Sequence, residues 1–570
     1  MHLSSFLQIA LFFGFLLVSA KALGSHLYKV LSPEETPYFS SVIGPLERAT
    51  YKIARIDPSH QYSWKGYLAS IAIFSGMGML LMLCILMAQG YLPLNPENIG
   101  PPSFALAVNI AISFVSNTDW QSYAGETTLS TFSQMTALTV QNFISPAVGM
   151  CTLAALVRAI ATKKPSLLGN FWVDLIRVTY YVLLPLSILA AVFFMSQGVP
   201  QNFQDYTHAT TLEGTTQVIV QGPIASQEAI KLLGSNGGGY TTMNSAHPFE
   251  NPTPLSNFVG TFLMLLIPAS QICYFGKAIH HKKHGWSLFL GVSILFVIGM
   301  IAMSILEAQP NPILSLFPID GALGNMEGKE MRFGVFASSL FTSASSASST
   351  GAMSSNLSSY SPIGTMIALI NIQLGEVIFG GMGSGLYNII LIVLITVYLA
   401  GLIAGKAPEY LGKKIEIFDI KMIMCAILLY TFTILCFTAW ASISKWGTSV
   451  LVNKGPHGFT EMLYAFSSSV GNNGSSLMGK TANTVSYNWI ISVVMLIGRF
   501  VFMIPILALA DSLSKKKIHP DNEATLPLSG FAFVLLFISV LLIIGALSYL
   551  PSLIIGPILE HLLMNEGSVF

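Results

Sequence analysis

The sequence predicts an all-α polytopic membrane protein with about ten transmembrane spans. Its composition, the lengths of its apolar segments and the positions of its positive charges support this fold class. Of the 570 residues, 53% are hydrophobic and only 9% are charged, whereas roughly 25% of residues are charged in soluble proteins. So few charges cannot cover the surface of a soluble protein of this length. The formal net charge of +1 also excludes nucleic-acid binding through a basic surface.

Ten apolar segments have the length that a bilayer requires, because about 20 residues of helix cross ~30 Å of hydrocarbon. These segments are 4–23, 67–88, 130–157, 173–196, 255–275, 286–306, 363–405, 420–441, 488–510 and 528–549. The first segment could be a signal peptide, but no Lys or Arg precedes it, and Lys21 and Lys29 follow its apolar core. We therefore interpret it as a retained helix whose N-terminus lies outside.

The segment 363–405 is too long for one straight helix. It contains Gly380, Gly381, Gly383 and Gly385, and glycine is a poor helix residue. We predict one span that is broken in the middle, with two separate spans as the alternative. If the N-terminus lies outside, 18 of the 27 Lys and Arg residues fall on the five inside loops and six on outside segments. Inside loops are enriched in positive charge, so ten spans with both termini outside agree with the sequence.

Four outside segments contain apolar stretches that are too short to cross a membrane, and we call them half-helices. They occupy 103–115, 225–234, 331–342 and 457–467. The polar stretches that follow them are SNTDWQ at 116–121, SNGGGY at 235–240, SSTGAM at 348–353 and GNNGSS at 471–476. Within these stretches, Thr118, Gly237, Gly351 and Gly474 stand 119, 114 and 123 residues apart. A spanning segment follows each one, and such regular spacing indicates an internal repeat.

The pattern predicts four helix–pore loop–helix repeats around a pseudo-fourfold axis, with one extra span at each end. The assignment is 1–24 for an N-terminal transmembrane helix, 25–66 for a cytoplasmic loop, 67–158, 172–275, 286–405 and 420–510 for pore repeats 1 to 4, and 528–549 for a C-terminal transmembrane helix. The third repeat contains the broken helix. The chain would then be a channel-like unit repeated four times.

Four irregular polar strands at membrane depth would place a ring of backbone carbonyls around the axis. Irregular backbone is tolerated at this depth only where it lines a cavity or is buried in protein. A carbonyl ring can replace the hydration shell of a permeating cation, and the C-terminus of each half-helix would add partial negative charge. The alternative is that each polar stretch is a surface turn, because Gly, Asn and Ser dominate turns. That interpretation leaves the regular spacing unexplained.

Five long motifs stand out along the chain. They are SFVSNTDWQSYAGETTLS at 113–130, LGSNGGGYTTMNSAHPFENPTP at 233–254, FGGMGSGLYN at 379–388, APEYLGKKIE at 407–416 and LYAFSSSVGNNGS at 463–475. These motifs closely resemble the potassium-binding subunits of Kdp-type potassium-transporting ATPases. The resemblance covers nearly the whole chain in order. That family belongs to a superfamily of potassium transporters whose single chain repeats a channel-like unit four times.

The resemblance implies that the chain captures potassium from outside through a four-loop filter. The ion would pass through a cavity to a partner subunit that is a P-type ATPase, and two small membrane subunits usually complete such a complex. The expected location is the bacterial cytoplasmic (inner) membrane, with the lipid bilayer around the spans. ATP is hydrolysed on the partner, so we expect no catalytic residue and no ATP on this chain. The ligand is the transported potassium ion.

The resemblance also carries over a set of filter residues, one triplet from each repeat. The triplets are Asn117, Thr118 and Asp119; Ser235, Asn236 and Gly237; Ser349, Thr350 and Gly351; and Asn472, Asn473 and Gly474. Gln121, Gly238 and Gly239 are expected to support them. A carboxylate at Asp119 would raise cation affinity or alter selectivity if it faced the axis. The alternative is that Asp119 faces away and braces its strand, because filter strands ligate mainly through backbone atoms.

Two ionisable residues lie far from the ends of predicted spans, where a charge is costly and indicates function by default. Glu376 precedes the glycine cluster of the broken span, and Arg499 lies in the span after the fourth polar stretch. The resemblance implies that both residues, together with Gly381 and Gly383, border a cavity or gate below the filter, from which the ion leaves sideways. The alternative is that each charge is buried and paired, and ties helices together.

The sequence also offers three alternatives to this function. Residues 474–481 (GSSLMGKT) fit a phosphate-loop pattern, but that motif requires a preceding buried strand and Lys480 is predicted outside, so nucleotide binding is rejected. The main alternative is a free-standing potassium channel or symporter of the same superfamily. A polytopic membrane enzyme is the remaining alternative, and the lack of His or carboxylate clusters on the predicted spans argues against it.

Overall fold

A computed structural model describes residues 3–32, 35–313, 321–405, 408–518 and 527–567. In this part of the chain, ten helices are long and apolar enough to cross a membrane. They are Leu7–Leu31, Trp64–Tyr91, Thr131–Ala161, Phe171–Ser196, Pro254–Ala278, Lys282–Glu307, Ser384–Ile403, Ile417–Ile443, Val485–Lys515 and Phe531–Asn565. The predicted all-α membrane fold with about ten spans is confirmed. Lys406 and Ala407, which belong to a predicted inside loop and a family motif, lie outside the described residues.

The spans are built from α-helical pieces joined by short π-helical turns. The α-helical pieces of the spans are Leu3–Leu31, Trp64–Ala88, Thr131–Ser133, Val140–Ala161, Phe171–Val178, Leu184–Ser196, Pro254–Ala278, Lys282–Glu307, Ser384–Ile403, Ile417–Ile443, Val485–Leu496, Phe502–Lys515, Phe531–Leu553 and Leu559–Asn565. The π-helical turns are Gln134–Thr139, Thr179–Leu183, Ile497–Val501 and Ile554–Ile558. Such turns often occur at functional sites.

Shorter elements connect the spans. The remaining α-helices are Ser40–Ala54, Phe104–Val115, Gly125–Thr128, Ile224–Leu233, Gly334–Ala347, Pro362–Gln373, Lys445–Thr448 and Gly455–Val470. The 3-10 turns are Gln89–Tyr91, Asn244–Ala246, Leu357–Ser359 and Gly479–Ala482. Two antiparallel hairpins pair Thr207–Thr210 with Thr216–Ile219 and Glu409–Tyr410 with Lys413–Lys414. Four of the short α-helices are the half-helices of the sequence analysis, with slightly different ends.

Local sequence explains where several spans begin. The side chains of Ser63, Thr253 and Thr484 accept hydrogen bonds from the backbone amides of Gly66, Ser256 and Tyr487, respectively. These are N-cap bonds, which satisfy amides that have no partner within the helix. At Thr253 the following residue is Pro254, whose fixed φ suits the first helical position. The starts of these spans are therefore encoded by their own residues.

Tertiary packing determines where the first span ends. The sequence predicts an end at residue 23, where the apolar run stops. The helix continues to Leu31, and the ring of His26 bonds the carbonyl oxygen of Tyr181 at 2.8 Å. A partner in another helix thus keeps a polar turn helical.

The last span also extends further than its predicted end at residue 549. It runs to Asn565 through a kink at Gly556, whose φ of −90° and ψ of −105° are not helical. Proline at 557 follows this glycine. A Gly-Pro pair removes an amide donor and bends the helix, and here the helix resumes beyond the bend.

The segment 363–405 forms two helices. Pro362–Gln373 has 12 residues and Ser384–Ile403 has 20, so the first is too short to span alone. Between them, Gly375, Glu376, Phe379 and Gly383 have positive φ values. The chain therefore leaves the helical path in the interval that contains the glycine cluster.

Candidate functional site

Each of the four half-helices ends in the same backbone motif. Two residues after each half-helix, the chain adopts the left-handed conformation. The φ values are 64°, 53°, 53° and 48° at Asn117, Ser235, Ser349 and Asn472. The amides of the next residues, Thr118, Asn236, Thr350 and Asn473, donate to the carbonyl oxygens of Ser113, Lys231, Ser345 and Ser468 at 2.9, 3.0, 3.0 and 2.8 Å. This is the Schellman motif, which satisfies carbonyls at a helix C-terminus.

The shared motif aligns the four polar strands residue by residue. Thr118 is equivalent to Asn236, and Asp119 is equivalent to Gly237, Gly351 and Gly474. The sequence spacing aligns Thr118 with the three glycines, whereas the structure aligns Asp119 with them. The predicted alignment is therefore wrong by one residue in the first repeat. The reason is that the first repeat has no glycine at this level. Asp119 itself adopts a positive φ of 53°, and Asp is among the residues that tolerate this region best.

The four strands, residues 117–119, 235–237, 349–351 and 472–474, lie against one another, and we call them the candidate filter. A Cβ atom on Gly351 would overlap the carbonyl oxygen of Asn473, and one on Gly474 would overlap that of Thr118. A Cβ on Gly237 would lie 2.9 Å from the carbonyl oxygens of both Asn473 and Thr350. These glycines are required because a neighbouring carbonyl occupies the side-chain position.

Side chains link adjacent strands of the candidate filter. Asn117 Nδ2 donates to the carbonyl oxygen of Ser235 at 2.8 Å. Ser349 Oγ donates to the carbonyl oxygen of Gly471, next to the fourth strand, at 2.6 Å. Asn472 Nδ2 donates to Thr118 Oγ1 at 2.8 Å. The predicted filter residues are all buried except Gly474, which is partly exposed. The structure therefore brings all twelve together.

The carboxylate of Asp119 points towards the second strand. It lies beside Gly237, Gly238 and the side chain of Asn236, and only 1% of the residue is exposed. The acceptor oxygens of this carboxylate therefore face polar groups of the neighbouring strand. This geometry favours a bracing role for Asp119.

The supporting residues predicted next to the candidate filter also contact it. Gln121 Nε2 donates to the carbonyl oxygen of Gly239 at 3.0 Å, and the amide of Gly239 donates to Gln121 Oε1 at 3.0 Å. A Cβ on Gly238 would lie 2.7 Å from Cζ of Phe114. Gln121 thus fastens the first strand to the second just after the candidate filter.

Arg499 lies in the π-helical turn Ile497–Val501 and is buried. Its Nη2 atom donates to the carbonyl oxygen of Ser145 at 2.9 Å. Its Nε atom is buried and has no hydrogen-bond partner among the described residues. A Cβ on Gly149 would lie 3.1 Å from Nη2. The guanidinium therefore packs against the span Thr131–Ala161, with part of its donor capacity unused.

Glu376 lies in the interruption of the broken span and is also buried. Its Oε2 atom accepts from the amide of Gly381 at 3.3 Å and from Ser384 Oγ. Gly383 has a φ of 84° and passes against the backbone of Gly149, which a Cβ would overlap. The salt bridges of the described residues include no ion pair between Glu376 and Arg499.

A small cavity lies beside the interruption. Its volume is about 50 Å³. Its lining includes Gln373, Gly375, Asn388, Tyr430 and Tyr549. The cavity thus lies between the broken span and three neighbouring spans.

Sequence reasoning missed the residues behind the second strand. The charge pattern places Lys231 on an outside segment, yet its side chain is fully buried, as are those of Glu228 and Glu250 to within 2%. Asn244 is not among the predicted site residues, although its Nδ2 atom donates to the carbonyl oxygen of Gly237 at 2.5 Å. The available signal was a Glu and a Lys three residues apart on a short apolar helix.

The phosphate-loop pattern at 474–481 has the wrong surroundings. The half-helix Gly455–Val470 precedes it, and a 3-10 turn, Gly479–Ala482, ends it. A phosphate loop needs a buried strand before it. The glycine at 474 instead lies against the first strand of the candidate filter.

Comparison with known proteins gives consistent matches along the whole chain. The family model described as "Potassium-transporting ATPase A subunit" (KdpA) matches residues 10–562. The potassium-transporting ATPase potassium-binding subunit of Granulibacter bethesdensis is 46% identical over 570 residues, which cover 100% of both chains. The subunit of the same name from Rhodospirillum centenum is 46% identical over 99% of this chain and 98% of its own.

A solved structure is similar in fold. The potassium transporter TrkH from Vibrio parahaemolyticus matches with a TM-score of 0.50, covering 89% of this chain and 98% of that one. The sequences are 15% identical, so the match supports the fold alone.

Proposed function

Because the chain belongs to the family of potassium-transporting ATPase A subunits, we propose that it is the potassium-binding and translocating subunit of an ATP-driven potassium uptake complex. It binds external potassium in the candidate filter and passes it through the membrane towards a P-type ATPase subunit. Two small membrane subunits complete the complex, and ATP is hydrolysed on the partner. The complex lies in the bacterial cytoplasmic membrane, with both termini of this chain outside.

One observation supports the binding step above all others. Four half-helices end in identical motifs, and the strands that follow them meet with carbonyl oxygens at the glycine positions of their neighbours. Backbone carbonyls in a ring can replace the hydration shell of potassium. The C-terminus of each helix also carries about half a negative elementary charge, and four such ends favour a cation at this point.

The onward step is assigned to the interrupted span. A cation leaving the candidate filter towards the inside meets the region of Arg499, whose positive charge raises the energy of a cation there. The small cavity lined by Asn388 and Tyr430 lies on the side of the interruption and offers oxygen atoms to an ion. We assign Arg499 as a barrier to direct inward release, and Glu376, Gly381 and Gly383 as the parts of a gate that directs the ion sideways.

The decisive experiment is ATP hydrolysis by the purified complex, titrated with potassium and then with sodium. The test variant is Gly237→Asp, because its Cβ would stand 2.9 Å from two filter carbonyls. We expect half-stimulation to need at least about tenfold more potassium, equivalent to ~1.4 kcal/mol. Gly100→Asp is the matched control, because Gly100 is exposed and no atom lies within 4 Å of its Cβ position.

Two results would contradict the proposal. Unchanged half-stimulation in an assembled Gly237→Asp complex would remove the ion site from the candidate filter. Purification without an ATPase, together with potassium flux down its gradient, would instead indicate a free-standing channel or symporter.

A further inference from the structure

A cluster of buried charges lies behind the second strand of the candidate filter. Lys231 and Glu228 are three residues apart on the half-helix Ile224–Leu233 and form an ion pair. The Lys231 ammonium also contacts Glu250 Oε2 at 2.9 Å. An unpaired buried charge is strongly destabilising, whereas a paired and hydrogen-bonded one is tolerated. These three residues therefore hold one another in place.

The cluster reaches the candidate filter through Asn244. Lys231 Nζ donates to Asn244 Oδ1 at 2.8 Å, and Asn244 Nδ2 donates to the carbonyl oxygen of Gly237 at 2.5 Å. The carbonyl oxygen of Lys231 itself accepts from the amide of Asn236 at 3.0 Å. Lys231 thus contacts the second strand twice, through its backbone and through the side chain of Asn244.

Glu250 holds the chain that follows the strand. Its Oε1 atom accepts from both the amide and the hydroxyl of Thr241, each at 2.7 Å. A Cβ on Gly239 would lie 3.0 Å from Glu250 Oε2. Residues 237–241 are therefore fixed at one end by Asn244 and at the other by Glu250.

The second strand needs such outside support more than the others. Gly237, Gly238 and Gly239 follow one another, and glycine has the greatest conformational freedom of all residues. No side chain of these three residues can brace the strand. The bond from Asn244 holds the oxygen atom of the peptide that follows Gly237.

We propose that Lys231, Glu250 and Asn244 form a positioning network that fixes the direction of the Gly237 carbonyl and thereby determines how well the filter prefers potassium over sodium. The inference rests on the proposed function and deepens it. The number and field strength of the carbonyls that surround an ion govern this preference. A carbonyl that rotates changes both quantities, and a flexible ring accommodates a smaller ion.

The sharpest test is Asn244→Asp in the intact complex. Aspartate keeps the size of the side chain, its tolerance of the positive φ of 52° and the oxygen that accepts from Lys231. It loses the Nδ2 donor and turns a carboxylate oxygen towards the Gly237 carbonyl. The measurement is the ratio of the sodium and potassium concentrations that half-stimulate ATP hydrolysis. We expect this ratio to fall at least about tenfold, with assembly of the complex maintained.

Lys231→Met is the second variant, and Lys329→Met is its matched control. Lys329 forms an equally buried ion pair with Glu307 at 2.7 Å, and both side chains are 0% exposed. Its ammonium otherwise lies over the ring of Tyr360 and touches no residue of the candidate filter. We expect both methionine variants to lower the yield of the complex, and only Lys231→Met to lower the ion ratio.

The outcomes separate this inference from the proposed function. An unchanged ratio in assembled Asn244→Asp overturns the positioning role, as does an equal fall in Lys329→Met. If Lys231→Met does not assemble, Asn244→Asp alone decides. If the wild-type complex shows no stimulation by potassium, the proposed function itself fails. If Gly237→Asp shifts stimulation and Asn244→Asp does not, only the network is wrong.

Discussion

The second and fourth strands of the candidate filter leave their half-helices through the same motif but are fastened by different chemistry. The second depends on buried ions, since Lys231 and Glu250 act on it through Asn244 and Thr241. The fourth depends on neutral groups. Asn473 Oδ1 accepts from the amide of Ser475 at 3.1 Å, and Ser475 Oγ bonds the hydroxyl of Tyr464 at 2.8 Å.

The difference follows from the residues of the strands themselves. The fourth strand contains Asn472 and Asn473, and Ser475 follows it. Asn472 bonds Thr118 of the first strand, and Asn473 bonds the amide of Ser475. The second strand is followed by consecutive glycines, which have no side chains to bond. Its support must come from residues outside it, and a charged group supplies stronger hydrogen bonds than a neutral one. A backbone geometry repeated around an axis can therefore be held in place by unlike interactions.

The largest expected effect is loss of the charge in the cluster behind the second strand. Burial opposes ionisation of Glu250, but the ammonium of Lys231 outweighs it and lowers the pKa of Glu250. Burial raises the pKa of Glu228, so Glu228 holds a proton more readily. We expect Glu250→Gln to destabilise the protein by about 3 kcal/mol, because it removes the carboxylate that ionises more readily beside Lys231, and Glu228 must then ionise in its place. Glu228→Gln should cost about 1 kcal/mol.

Thermal unfolding of the two purified variants at pH 7 measures this asymmetry. Each variant is the control for the other, since both replace a buried glutamate that contacts the same lysine. Equal destabilisation would show that Glu228 and Glu250 are ionised to a similar degree. It would weaken the contrast between the second and fourth strands.

A smaller effect is expected from glycine substitution in the fourth strand. Gly474 has a φ of 88°, and a Cβ would overlap the carbonyl oxygen of Thr118. Gly474→Ala combines left-handed backbone strain of about 1–2 kcal/mol with overpacking of about 1–3 kcal/mol. Gly237→Ala should cost only the overpacking energy, without backbone strain, because Gly237 is not among the glycines with positive φ.

Gly479→Ala is the control for backbone strain without contact. Its φ is 57° and no atom lies within 4 Å of the Cβ position. We expect Gly479→Ala to lower the unfolding temperature slightly and to leave half-stimulation by potassium unchanged. If Gly474→Ala behaves in the same way, the close approach of Thr118 does not matter to the ion site.

A modest effect is expected where the fourth strand is braced by neutral groups. Tyr464→Phe removes the hydroxyl that bonds Ser475, and a neutral hydrogen bond contributes about 1 kcal/mol. We expect an equally small change in the free energy of unfolding and less than about a threefold change in potassium half-stimulation. Tyr91→Phe is the control, because Tyr91 is 96% exposed. A loss of selectivity as great as that of Asn244→Asp would erase the distinction between the strands.

Much of the fold could be predicted because its signals are local. Apolar runs of about 20 residues gave the ten spans, and capping residues such as Thr253 determine their starts. The ends at Leu31 and Asn565 could not be predicted. The first depends on the bond between His26 and Tyr181, which lie in different helices, and the second continues beyond a Gly-Pro bend.

The candidate site also has one part that the sequence could predict and another that it could not. The four polar stretches follow from repeated composition along the chain, and the resemblance of their motifs to a known family implies the twelve residues of the candidate filter. Their exact register in the first repeat required the backbone, because Asp119 takes a conformation that glycine takes elsewhere. The network of Lys231, Asn244 and Glu250 was missed, since its members are separated by irregular chain with no periodicity. Contacts of that kind are determined by the folded structure and leave little trace in sequence spacing.

The smallest expected effect concerns the start of the fourth half-helix, which is tied to the last span by a titratable pair. His457 Nδ1 contacts Glu560 Oε1 at 2.7 Å. Burial opposes the charge on His457, but the carboxylates of Glu560 and Glu461 outweigh it and raise the pKa of His457. Among the described residues, the ion pairs of histidine involve His208 and His457, and neither residue contacts the second half-helix through such a pair.

Because the pKa is higher in the folded state, protonated His457 stabilises the fold fully below its unfolded value of about 6.5. This contribution is lost as the pH rises through the folded value. We expect wild type to exceed His457→Gln in unfolding free energy by about 1 kcal/mol at pH 6, and by less at pH 9. An advantage that grows with pH would mean that neutral His457 is the stabilising form, and the fourth half-helix would then be held by neutral groups throughout.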